Sequence, residues 1–273
     1  LVLQLNNNQL TGTLPDSIGN MSALTLLYLN SNQLSGVLPA SIGQLASLRY
    51  LQLNGNGFEG ELPGETGNLD KLITLNVSNN QLEGELPDSL SQLVSLINLY
   101  LSGNAFYGII PAWLGELSLL RIADLSNNTF SGQLPNALGN LTNLRTLNVS
   151  GNLLSGALPD NLEYINNLQT VNVSNNRFWF VDLVPVFDWA NYSVFSSSFT
   201  YAPQAPVGSE ETVRVPLGQP VVLEVSGYDP SADDLFQWYK DDVLLTGETD
   251  SVLFVESHTE NDTGVYSCRI NHP

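Results

Sequence analysis

Over the first two thirds of the chain, apolar positions recur at a fixed interval. In Leu51-Gln52-Leu53 and Leu99-Tyr100-Leu101, apolar and polar residues alternate, the period of a strand with one buried face. Each such strand is followed by an asparagine three positions on, and these fall at Asn8, Asn32, Asn56, Asn80, Asn104, Asn128, Asn152 and Asn176, one every 24 residues. A period of this length predicts stacked units in a solenoid. Parallel strands about 4.8 Å apart would lay eight such rungs along an arc of about 40 Å.

The rest of each repeat is equally regular. After the asparagine comes a segment such as Leu82-Glu83-Gly84-Glu85-Leu86-Pro87, where glycine lets the chain bend and proline closes the turn. Asp88-Ser89-Leu90-Ser91-Gln92-Leu93 then suits a short helix or 3₁₀ turn. Leu93, Leu96, Leu99 and Leu101 fill the core of that repeat. The eight asparagines read as a structural ladder, each amide bonding backbone groups left free by its turn. This frame resembles the leucine-rich repeat family, and its Gly-x-Leu-Pro portion is similar to the plant-specific subclass, which also occurs in bacterial surface proteins. The resemblance covers residues 1–183 and implies a leucine-rich repeat solenoid, with a parallel sheet on the concave face and short helices or 3₁₀ turns on the convex face.

The pattern decays at Arg177-Phe178-Trp179-Phe180. Residues 184–206 form an expected aromatic C-terminal cap and linker, with Phe187, Trp189, Tyr192, Phe195 and Phe199 before Ala202-Pro203-Gln204-Ala205-Pro206. In residues 207–273 the pattern changes to short strands at 221–225, 235–239, 251–255 and 264–269. Asp262-Thr263-Gly264-Val265-Tyr266-Ser267-Cys268 resembles strand F of an immunoglobulin-like domain, with Tyr266 at the tyrosine-corner position and Trp238 at the core tryptophan. Val225 stands where that family usually has its first cysteine, so the resemblance implies an all-β sandwich without its bridge, with Cys268 a buried small hydrophobe. Strand G is missing, so this domain is expected to be incomplete. The combination is similar to bacterial modular surface or secreted proteins.

Composition narrows the function. Among 273 residues there are 27 Asp and Glu against 8 Lys and Arg, a net charge of −19, which excludes nucleic acid and disfavours an anionic membrane. With a single cysteine no intrachain disulfide forms. No apolar run is long enough to insert in a membrane. Residue 1 falls inside a repeat, so a preceding cap is expected. The two histidines, His258 and His272, lie outside the repeats, and neither a phosphate-cradling loop nor a His/Cys metal spacing is present. The reading is therefore not an enzyme, and no cofactor is expected.

Alternation turns three columns of side chains outward. The central one runs Gln4, Tyr28, Gln52, Asn76, Tyr100, Asp124, Asn148, Asn172; the preceding one includes Tyr50, Thr74 and Asn98; the following one runs from Asn6, Asn30 and Asn54 into Ser78, Ser102, Ser126, Ser150 and Ser174. Asp124 is the single charge among them. Amides and hydroxyls that both donate and accept, beside aromatic rings, suit a neutral polar ligand. The candidate ligand-binding residues are Tyr28, Tyr50, Gln52, Asn76, Asn98, Tyr100, Asp124 and Asn148, with Arg49, Arg121 and Arg145 at the rim. Glu59 and Glu61 share frame positions with Glu83 and Glu85, and stacking them, like the group Asp229, Asp233, Asp234, Asp241 and Asp242, reads first as acid facing solvent, with Ca²⁺ held through oxygen ligands as the other reading. Glycans on the sequons at Asn76, Asn148 and Asn172 would block the face, which favours an unglycosylated bacterial chain. The expected protein is a monomeric extracellular or cell-surface binding or adhesion protein recognising a polysaccharide or protein, with the immunoglobulin-like domain as spacer. The ectodomain of a plant-type receptor and a purely structural stalk are the alternatives.

Overall fold

The structure, a computed structural model, describes residues 1–178, 198–200, 219–224, 235–241, 243–255 and 259–271. The chain divides into two compact units, Leu1–Ala205 and Pro206–Pro273.

In the first unit, three-residue strands from successive repeats form a nine-stranded parallel sheet, from Val2–Gln4 to Ser198–Thr200. Frame-equivalent residues pair directly, Leu27 with Leu51 and Leu51 with Leu75, an offset of 24. The middle residue of each strand points into the core, where Leu27, Leu51, Leu75, Leu99 and Leu147 are at most 1% exposed. The last strand was not expected. Ser198–Thr200 lies in the stretch assigned to cap and linker, yet pairs with Thr170–Asn172. Backbone hydrogen bonds suffice to add a rung, so a rung can persist after the leucine frame has gone. Phe178 is buried, whereas Trp179, Phe180, Phe187, Trp189, Tyr192, Phe195 and the 201–206 linker lie outside the described residues.

A second parallel sheet, of seven strands from Thr11–Gly12 to Leu153–Leu154, runs through the Leu-x-Gly segments, which the sequence reading took for bends. Its register is offset by 22 residues, Gly36 opposite Phe58 and Gly60 opposite Leu82. The two-residue stagger preserves which face each side chain occupies but misaligns equivalent positions. The expected carboxylate stack is corrected by it: Glu61 lies opposite Glu83, and Glu59 opposite Gln81. Gly84 has φ +90°, and a Cβ there would lie 2.9 Å from the Glu61 Cγ, so the bend requires glycine.

Each repeat then enters a five-residue 3₁₀ turn behind a proline, as in Ala40–Gln44 after Pro39. A Cβ on Gly43 would stand 2.2 Å from the Glu65 carbonyl oxygen, so consecutive turns meet backbone to backbone.

The asparagine ladder stitches repeats together. Asn56 Nδ2 donates to the carbonyls of Leu29 and Leu53, both at 3.0 Å, while its Oδ1 accepts from the Leu34 amide at 3.0 Å. One side chain thus satisfies three backbone groups in two repeats. The core beside it is mostly leucine, with Phe106 and Phe130 stacked at 6.3 Å.

The second unit holds two small antiparallel sheets. One pairs Val221–Glu224 with Val252–Val255; the other orders Val243–Leu244, Leu235–Lys240 and Tyr266–Asn271. Trp238 is buried and its Nε1 donates to the Asp250 carbonyl at 2.8 Å. The Tyr266 hydroxyl donates to the Asp262 carbonyl at 2.7 Å. Asp241 turns the hairpin at φ 48°. Cys268 is half-buried instead of fully buried, and that burial pushes its thiol pKa up. Val225, Asp229, Asp233, Asp234, Asp242, His258 and His272 lie outside the described residues. Among the described residues no helix is long and apolar enough to cross a membrane.

Candidate ligand-binding face

The 24-residue register places six of the eight candidates in one unbroken row. Tyr28, Gln52, Asn76, Tyr100, Asp124 and Asn148 are successive partners across adjacent strands. Tyr50 and Asn98 belong to the neighbouring row, between Leu26 and Thr74 and between Thr74 and Ile122. All eight are half-buried. Two groups emerge. Tyr28, Tyr50 and Gln52 sit on two adjacent strands, while Asn98, Tyr100, Asp124 and Asn148 gather further along. At about 4.8 Å per strand, Tyr28 and Tyr100 are about 14 Å apart.

The face is less free than its composition implies. Asn76 Oδ1 accepts from the Ser78 amide at 3.1 Å and the Ser78 hydroxyl at 2.8 Å. The same pair of bonds joins Asp124 to Ser126, Asn148 to Ser150 and Asn172 to Ser174. Ser78, Ser126 and Ser174 are at most 7% exposed, so these three are not the outward recognition groups expected of their column. With Oδ1 held, the group left to each of these asparagines for a ligand is the Nδ2 donor. Asn98 Nδ2 in turn donates to Thr74 Oγ1 at 3.1 Å, with Thr74 itself buried.

This pinning has a sequence signature. In the central column Gln4, Tyr28 and Gln52 are followed two residues later by Asn6, Asn30 and Asn54, whereas Asn76, Asp124, Asn148 and Asn172 are all followed by serine. Three of the sequons, at Asn76, Asn148 and Asn172, arise from this local hydrogen-bonded turn.

Burial, and next the charge on Asp124, push the Tyr100 phenol above its ordinary value of 10.0, so at neutral pH it is an intact O–H donor. Arg49, Arg121 and Arg145 are exposed at the strand entrances. On the second sheet Val37, Glu59, Gly60, Gln81 and Glu83 line an open groove. Among the described residues no group of three or more His, Cys, Asp or Glu is placed to hold a metal ion.

A family profile described as a leucine-rich repeat region matches residues 40–198, and a second, leucine-rich repeat, matches residues 2–58. No curated protein sequence matches the chain. Among solved structures, the chain is similar to the ectodomain of the plant membrane receptor kinase GASSHO1/SCHENGEN3 from Arabidopsis thaliana in complex with Casparian strip integrity factor 2. Identity is 32% and the TM-score 0.63, over 67% of this chain and 25% of that one. It is similar to the Arabidopsis receptor kinase HAESA in complex with the peptide hormone IDA and the co-receptor SERK1, at 39% identity and TM-score 0.61, over 64% of this chain and 30% of that one. A plant ice-binding protein matches at 29% identity and TM-score 0.59, over 64% of this chain and 57% of that one. The chain therefore spans between a quarter and about a third of the receptor ectodomains it resembles.

Proposed function

The chain belongs to the leucine-rich repeat family, and from that premise we propose that it is an extracellular, non-enzymatic recognition unit whose concave face takes an extended peptide segment of a ligand. The observation that carries this is the face itself. In a chain of net charge −19, its three columns hold one charged residue, three tyrosines and a row of amides whose oxygens are held by serines and whose donors are left for a ligand. An extended peptide offers carbonyl acceptors to such donors, and tyrosines supply broad contact at small entropic cost. The solved receptor ectodomains whose complexes contain a peptide hormone support the same reading.

The second unit fits the role of spacer. Its buried Trp238 and the Tyr266 hydroxyl bonded back to the Asp262 carbonyl support an immunoglobulin-type sandwich. The proposed setting is a modular bacterial surface protein.

The similarity to an ice-binding protein raises a second reading, and the face argues against it. A crystal lattice demands a repetitive surface, and here Tyr28, Tyr50, Tyr100, Ile122 and Asp124 break the repetition of both rows.

The test is a mixed peptide and glycan array probed with the chain and with the triple variant Tyr28→Ala, Tyr50→Ala, Tyr100→Ala. Peptide binding should fall at least about 100-fold, as expected for anchoring tyrosines, with the melting temperature little changed. Binding retained by the variant would move the site off this face. Binding confined to glycans would replace the peptide reading with carbohydrate recognition.

A further inference from the structure

We infer that Asp124, together with Tyr100 beside it, seats a basic side chain of the ligand, so that the peptide recognised carries an arginine or lysine at one position. This rests on the reading of the concave face as a peptide site and names the chemistry of its charged end.

Asp124 occupies a position where Asn76, Asn148 and Asn172 make the same turn. Its Oδ1 accepts from the Ser126 amide at 3.2 Å and from the Ser126 hydroxyl at 2.7 Å. Asn148 accepts from Ser150 at 3.3 and 2.8 Å, and Asn172 from Ser174 at 3.1 and 2.8 Å. An amide oxygen does this as well as a carboxylate oxygen. The negative charge of Asp124 is therefore surplus to the fold.

With Oδ1 held by Ser126, the second oxygen is the group left over, and the hydrogen bonds of Asp124 among the described residues go to Ser126 alone. In the asparagines the corresponding group is Nδ2, a donor. Asp124 thus places one anionic acceptor in a row of donors, half-buried and next to the Tyr100 ring one strand away. A cation entering there gains a charge-assisted hydrogen bond and a neighbouring aromatic surface. A ligand carboxylate would be repelled. The half-buried setting matters, because a fully exposed carboxylate offers little.

The experiment selects binders from a display library of random peptides on the full chain and on Asp124→Asn. That variant keeps the hydrogen-bonding pattern of Asn148 and should melt within about 1 °C of the parent, since its amide oxygen accepts the same two bonds from Ser126. Peptides selected by the parent should be enriched in arginine or lysine at one position. They should bind Asp124→Asn about 10- to 100-fold more weakly, the worth of a charge-assisted hydrogen bond. Changing that basic residue of the peptide to glutamine should erase the difference between parent and variant. Selected peptides without basic enrichment, or bound equally by both proteins, overturn the inference while leaving the peptide site standing. A library that yields no binder to the parent overturns the peptide site and the inference with it.

Discussion

The residue just before each ladder asparagine adopts a left-handed backbone. Asn79 has φ 53°, Gly103 66°, Asn127 53°, Gly151 66° and Asn175 54°. Asparagine and glycine are the residues that visit this region at least cost; Ser31 stands at the second such position with φ 57°, and from Gly55 to Asn175 glycine and asparagine alternate, for a further reason. A Cβ on Gly103 would lie 2.5 Å from Asn79 Oδ1, and a Cβ on Gly151 would lie 2.5 Å from Asn127 Oδ1. The amide of one repeat occupies the space above the next, which must then be bare. Gly103→Ala should accordingly cost about 2 kcal/mol or more, part backbone strain and part collision. In an Asn79→Gly background, where the oxygen is gone, the same substitution should cost about 1 kcal/mol, the strain alone. Urea denaturation of the four proteins measures both; equal costs in the two backgrounds would dispose of the collision. The alternation is plain in the sequence, as is the pairing of Asn76, Asp124, Asn148 and Asn172 with a serine two positions on. In sequence these residues look like free ligand groups, because nothing in the pattern shows that their oxygens bond one another. Composition shows which groups are present and not which are already satisfied.

At the scale of the element, what repeated with local periodicity was legible and what depended on partners was not. The short strands, the 3₁₀ turns and the role of the asparagines all follow from patterns within one repeat. The second sheet does not: its strands contain glycine, and their 22-residue register is set by neighbouring repeats. Glu59, Glu61, Glu83 and Glu85 were aligned by frame in sequence and are staggered in space for that reason. The ninth strand, Ser198–Thr200, has no frame to reveal it. The ladder supplies the sharpest test of how the elements cohere. Asn128 is 7% exposed; its Nδ2 donates to the carbonyls of Leu101, Leu125 and Ser126, and its Oδ1 accepts from the buried Phe106 amide. Asn8, exposed in the first repeat, donates to the Leu5 and Asn6 carbonyls. Asn128→Ala strands buried groups in two repeats and should cost about 3 kcal/mol, whereas Asn8→Ala should cost less than about 1 kcal/mol. Denaturant unfolding gives the totals, and hydrogen exchange at the Phe106 amide reports the cross-repeat bond directly. Similar costs for both would mean that each asparagine matters only to its own turn.

Across the whole molecule, charge sets stability and recognition against each other. Residues 1–183 carry 13 acidic and 5 basic side chains, and residues 184–273 carry 14 and 3, so net −8 lies in the larger part and net −11 in the smaller. Like charges at this density repel and destabilise the compact state. Salt shortens their reach, the Debye length falling from about 30 Å at 0.01 M to about 8 Å at 0.15 M. Raising sodium chloride over that range should therefore raise the melting temperature by a few degrees. The same salt screens the negative field that draws a basic peptide toward the concave face, and at Asp124 it weakens the contact itself. Affinity for such a peptide should fall as stability rises. Asp124→Asn separates the two effects, since it removes one charge of the net −19 and leaves the global repulsion nearly intact. Its melting temperature should climb with salt as the parent's does, while its residual peptide binding should depend on salt more weakly. A parent whose melting temperature ignores salt would show that its carboxylates are spaced widely enough not to repel. A variant whose binding is as salt-sensitive as the parent's would locate the attraction in the diffuse field of the molecule instead of at Asp124.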